Sequence, residues 1–170
     1  MNIQGIVKTQ FAGTEINQLS ATSFPGATAL GPVFVTYTGT LPTYEDIVAA
    51  EPAYLSWLQT QADARATAQN RKAAQQLRDN TINSDISVLG AVWQVDEKAR
   101  ENIRVAIDYA VRNGFEAENR GWIMADNSIR ISTITDLRSV MDAYTQRMDS
   151  IFGQYAVWAA GDMLTAFVVV

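Results

Sequence analysis

The stretch VLGAVWQVDEKARENIRVAIDYAVRNG, residues 88–114, decides how this chain is read. A short apolar run reaches Asp96, and a helix follows at once, with Ile103, Ala106, Ile107, Ala110 and Val111 recurring at helical spacing. Asp96 stands where an N-cap carboxylate accepts backbone N–H groups of the first turn. Gly114, after Arg112 and Asn113, suits the left-handed residue that closes a helix. A strand running into a helix is either the start of a ligand-binding unit or a fold nucleus from which the chain attaches to something else. A dinucleotide site needs three glycines in that turn, and VLGAVW supplies one.

Toward the C-terminus, GWIMA and IRIST flank Asp126, Asn127 and Ser128, which reads as a hairpin. Thr133 with Asp136 then forms a T-x-x-D capping box that opens a long helix. In that helix Leu137, Met141, Tyr144, Met148, Ile151, Tyr155 and Trp158 are spaced 4, 3, 4, 3, 4, 3, a heptad seam. Gly153 interrupts it at a cost of about 1 kcal/mol and would admit a close neighbour. Beyond Gly161 the apolar positions Met163, Leu164 and Phe167 continue on a shifted face, and Val168, Val169 and Val170 end the chain. The seam either packs on the 97–112 helix of the same chain or contacts another chain. On the second reading Tyr144, Met148, Tyr155, Trp158, Met163, Leu164 and Phe167 are the partner-binding residues.

Residues 1–50 are rich in Gly, Ser and Thr, punctuated by Gly13, Pro25, Gly26, Gly31 and Pro32. Their one strand signal is VFVTY at 33–37, where Val33, Val35 and Tyr37 share a face. Thr43 precedes Asp46 by three residues and starts a short helix through Ala50. This segment reads as an irregular arm that orders on a partner. Pro52 suits the first turn of a second helix, which runs to about residue 79 with an apolar start at Tyr54, Leu55, Trp57 and Leu58. Past Ala62 it turns into Ala, Gln and Arg, good helix formers that bury no broad face. Arg65, Arg71, Lys72 and Arg78 read as a solvated face. The expected fold class is α+β: an irregular arm with a short strand (1–50), a helical connector (51–82), and a C-terminal α+β domain with a long terminal helix (83–170).

Composition removes whole classes of chemistry. The 170 residues carry a formal net charge of −5 and contain neither cysteine nor histidine. A negative field disfavours nucleic acid and anionic membranes. Thiolate zinc sites, cysteine nucleophiles and histidine-based triads are excluded. Glu97 and Glu101 lie one turn apart on a helix start, where they serve the dipole. Asp108 and Arg112 make an ordinary helical pair. No spacing matches a calcium loop, so no cofactor or metal is expected and the chain reads as non-enzymatic. MNIQGIVKTQ lacks a signal-peptide core. AVWAAGDMLTAFVVV is shorter than the ~20 residues a spanning helix needs.

One further feature joins the segments. D-E-x-x-R-x-N-I (Asp96, Glu97, Arg100, Asn102, Ile103), then W-x-x-x-D-N (Trp122, Asp126, Asn127), then the helix-opening Thr133 resembles a domain family of unknown biochemical function. That family is common in tail-fibre and tail-fibre-assembly proteins of tailed bacteriophages. The resemblance spans about residues 86–160. The sequence departs from the family's pattern at Val95, just before Asp96, and in its apolar C-terminal end. The resemblance implies caps at Asp96 and Thr133, a core position at Ile103, and bonds from Arg100 and Asn102 to the strand or hairpin. It lends no catalytic residues. It also implies a non-enzymatic tail protein that binds the tail fibre, and possible self-association. Such a protein acts in the host cytoplasm during assembly, or stays in the virion tail. The alternative is a glycan-binding or glycan-cleaving receptor-binding module, recognisable by facing carboxylates beside an exposed Trp93 or Trp122. A third option is a helical scaffold domain unrelated to phages.

Overall fold

A computed structural model describes residues 3–11 and 42–170. In chain order it contains α1 (Ile3–Gln10), α2 (Tyr44–Asn83), β1 (Ile86–Val88), β2 (Ala91–Trp93), α3 (Glu97–Asn113), β3 (Arg120–Ile123), β4 (Ile129–Ser132) and α4 (Ile134–Ala159). Mixed helices and small antiparallel strand pairs make this an α+β fold. The strand expected at 33–37 lies outside the described residues. The chain divides into two compact units, 1–65 and 66–170.

In the first unit, residues 3–10 are helical rather than irregular. The reason is in the spacing: Ile6 and Val7 follow Ile3 by three and four residues, and both are fully buried. Gly5 sits against Tyr54, where a Cβ would clash with the phenol end of the ring unless the ring moved. Two expected helices also turn out to be one. α2 begins at the expected cap, with the Thr43 N–H donating to Asp46 Oδ2 (2.8 Å) and the Asp46 N–H to Thr43 Oγ1 (3.2 Å). It then runs straight through Pro52, which is an interior residue and not a first-turn residue. Proline there has no N–H for the carbonyl of Val48, at a cost of about 3 kcal/mol. Ile47 before it and Tyr54 after it are both buried, and they anchor the helix on either side.

The second unit holds one core. Trp93, Val95, Ile103, Ala110, Met124, Ile134, Leu137, Val140, Tyr144 and Ile151 are buried together with Ile82 from the end of α2. The apolar run at 88–95, expected as one strand, is split by a two-residue turn. Val88 pairs with Ala91 and Ile86 with Trp93, while Leu89 (φ 54°) and Gly90 (φ 71°) both take left-handed conformations. Turns of that type normally carry Asn or Asp first, so Leu-Gly gave no hairpin signal. The Trp93 indole N–H donates to the Val88 carbonyl (3.0 Å) and closes this hairpin from inside.

α3 is capped as expected. Asp96 Oδ1 accepts from the Ala99 N–H (2.8 Å), and Gly114 closes the helix at φ 71°. Ile103, Ala106, Ile107 and Ala110 face the core, but Val111 is half exposed. It lies on the last turn and is not packed on the core. The second hairpin pairs Gly121 with Ile131 and Ile123 with Ile129. The Thr133–Asp136 box starts α4, which packs on α3 and β1.

Candidate functional site

Three surfaces of the second unit have the make-up of a site. The first is the C-terminal seam. Leu137, Tyr144 and Ile151 are buried in the chain's own core, with Met141 and Met148 packed against it. Past Ile151 the terminal tail folds back on α4. Phe167, only 6% exposed, meets Tyr155 edge-on, and Trp158 lies 5.6 Å from it. The Trp158 indole N–H donates to the Thr165 carbonyl (3.0 Å). Gln154 and Val170 exchange two hydrogen bonds, at 2.8 and 3.1 Å. From α2, Asn70 donates to the Met163 carbonyl (2.9 Å), and the Arg78 guanidinium lies over Tyr155 (4.8 Å) and Phe152 (5.3 Å). Of the seven candidate contact residues, Tyr144 and Phe167 are thus enclosed, Met148, Tyr155, Trp158 and Met163 partly so, and Leu164 is 40% exposed. At Gly153 a Cβ would meet open space, so no described part of this chain lies against it.

Two arginines that the sequence did not single out have clear work. Arg147 of α4 donates to the carbonyls of Ile82 (2.7 Å), Ser84 (2.6 Å) and Asp85 (3.1 Å), locking the α2–β1 connection to the last helix. Burial lowers its pKa from the ordinary guanidinium value. Arg130 donates to the Leu89 carbonyl (2.9 Å) and covers the Trp93 ring, tying the two hairpins together. Arg100 donates to Asn83 and to the Val95 carbonyl (2.6 Å each) and lies over Tyr144. Asn102, by contrast, points into a cleft.

That cleft is the second surface. It encloses about 680 Å³ between α3 and β3. Lys98, Ala99, Asn102, Val105, Ala106 and Tyr109 line it from the helix, and all of Arg120–Ile123 from the strand, with Gln94 and Asp96 at the end of the first hairpin. The Arg120 guanidinium stands 5.3 Å over the Tyr109 ring, and its Nε is buried with no hydrogen-bond partner. Trp122 is half buried in the wall, whereas Trp93 is wholly buried elsewhere. Asp96 is the one carboxylate in the lining, and it is already bonded to the α3 backbone. The facing carboxylates that would mark a glycan-cleaving site are not there. No cluster of three metal-ligating side chains occurs among the described residues, and no described helix is long and apolar enough to cross a membrane.

The third surface is the outer face of the β3–β4 hairpin. Strand alternation puts Ile123, Ile129 and Ile131 on one side, exposed by 62%, 73% and 64%. The nearby turn is well formed: hydrogen bonds from Ser128 hold the Asp126 carboxyl below its usual pKa, and Asn127 takes φ 63°.

Residues 63–161 match the family described as a domain of unknown function, DUF4376. The chain belongs to this family. The match covers more than half of the chain and begins well before residue 86, where the resemblance in the sequence started. It takes in the second half of α2 and so nearly coincides with the compact unit 66–170. The start was misjudged because that part of α2 is too polar to read as a domain element, although Ala74 and Ile82 are buried. No curated protein matches the chain. No solved structure matches it either.

Proposed function

We propose that this DUF4376 chain is a non-enzymatic, protein-binding component of a bacteriophage tail, which engages the tail fibre as an assembly accessory or a minor tail subunit. The observation that carries the protein-binding part is the isoleucine face of β3–β4. Ile123, Ile129 and Ile131 stand side by side in water. An isolated two-stranded hairpin gains little stability by itself, and contiguous exposed apolar surface marks interaction sites. A covering partner would recover roughly 25 cal/mol for each Å² it removes from water. The tail-fibre direction is supported by the D-E-x-x-R-x-N-I, W-x-x-x-D-N and Thr133 pattern. Fibres are long β-rich trimers whose exposed ends associate wrongly when uncovered, and a partner of net charge −5 would keep such a pair soluble.

The test is co-expression with a tail-fibre protein of the same genome, followed by size-exclusion chromatography with light scattering. The wild-type chain should co-elute with the fibre and raise its trimer yield. The double variant Ile129→Thr/Ile131→Thr should lose most of both effects while keeping its circular dichroism spectrum. Equal fibre yield with the wild type, the variant or no partner would sink the reading.

A further inference from the structure

The cleft between α3 and β3 has a shape that a small-molecule site does not need. Its helical wall (Lys98, Asn102, Val105, Tyr109) is a single stripe, and the distance from Lys98 to Tyr109 is about 16 Å at 1.5 Å per residue. The facing strand contributes every one of its four residues, about 13 Å. The cleft is therefore a channel with a helix on one side and a strand edge on the other, as long as roughly four extended residues.

That strand edge is open. β3 pairs only with β4 among the described residues. The Met124 N–H donates to the Ser128 carbonyl (2.9 Å). Antiparallel alternation then directs the backbone groups of Trp122 and Arg120 toward β4 and those of Gly121 and Ile123 away from it. Ala125, the next residue in the outward set, already donates to the Val92 carbonyl across this edge (3.3 Å). The edge thus accepts a cross-strand partner at its far end and has none along the cleft.

The cleft also has a charge preference that the chain as a whole lacks. Lys98 and Arg120 line it against one carboxylate, Asp96, which the α3 backbone already holds, and no carboxylate among the described residues pairs with either cation. The buried Nε of Arg120 has no acceptor. An anionic group would complement these two cations.

We propose that this cleft captures an extended, acidic peptide segment of the partner protein as an added strand on β3. Its backbone would bond to Gly121 and Ile123. Alternate apolar side chains would pack on Val105, Tyr109 and Trp122, and one carboxylate would meet Arg120 and Lys98. Strand addition draws affinity from the main chain and specificity from alternate side chains. The inference rests on the reading of this unit as a protein-binding module, but it does not need the partner to be a fibre.

The probe is a random nonapeptide display library panned against the full chain. Enriched peptides should alternate apolar positions and share one acidic position. The best binder, synthesised and labelled, is then followed by fluorescence anisotropy. N-methylating one alternate set of its backbone amides should weaken binding about tenfold or more, and methylating the other set should not. Arg120→Gln should cost about tenfold with the acidic peptide, and little once its acid is replaced by Gln. Three outcomes overturn the proposal: no enrichment over the Trp122→Ala variant, equal tolerance of both methylation sets, or a cleft that answers only to oligosaccharides on a glycan array. If the fibre still co-elutes through the isoleucine face while panning fails, this inference falls and the broader reading stands. If peptides bind but the fibre does not co-elute, the reverse holds.

Discussion

The C-terminal seam and the α3–β3 cleft both gather aromatic rings around an arginine, yet they stand in opposite states. In the seam each group is met: Arg78 lies over Tyr155 and Phe152, the Trp158 indole has Thr165, and Gln154 and Val170 bond each other twice. In the cleft Tyr109 is exposed, the Arg120 Nε has no acceptor, and among the described residues no strand pairs with the outer edge of β3. Apolar richness alone would choose the seam as the contact surface. Satisfaction of polar groups chooses the cleft, because an unmet buried donor costs about 1–3 kcal/mol that a ligand can return.

The largest expected contrast comes from emptying each cluster of its main ring. Phe167→Ala should cost about 3 kcal/mol in urea unfolding, since it removes a buried ring from two aromatic contacts. Trp122→Ala, in a half-buried wall, should cost roughly half of that. Equal costs would show that the cleft is as closed as the seam. A second pair of substitutions sharpens the point. Arg147→Met should lose about 2–3 kcal/mol because three backbone carbonyls lose their donor. Arg120→Met should not lower stability and should raise it by up to about 1 kcal/mol, because it removes an unmet buried donor at the loss of only the contact with the Tyr109 ring. A large loss at Arg120 would mean that it serves the fold and not a ligand. The smallest effect tests whether the seam leaves room for a second helix. Gly153→Ala should raise stability by about 1 kcal/mol without altering the oligomeric state seen by light scattering. A new or lost oligomer on this change would restore α4 as an intermolecular face.

Much of the fold was legible because it depends on neighbours in sequence. The Asp96 cap, Gly114, the 126–128 hairpin turn and the Thr133–Asp136 box are bonds within a few residues, and each residue type has one natural local use. The 103–110 stripe is likewise a matter of period. What failed locally had a local excuse. Leu-Gly made a turn that usually carries Asn, and Pro52 sat inside a helix long enough to tolerate it. The candidate site was less legible. Trp122 and Asn102 were picked out by motif, but Tyr109, Arg120 and Lys98 had no periodicity to mark them.

By itself, then, the sequence determined α3, the β3–β4 hairpin and α4 with their caps, and which chemistries a chain without histidine or cysteine cannot perform. Only the tertiary structure decided what the heptad seam faces. Spacing gives a stripe but not its partner, and here the partner is the chain's own core and folded-back tail. Only the tertiary structure, likewise, set Arg120 beside an open strand edge. Whether a cation is paired depends on carboxylates and backbone distant in sequence, and among the described residues none of them bonds Arg120.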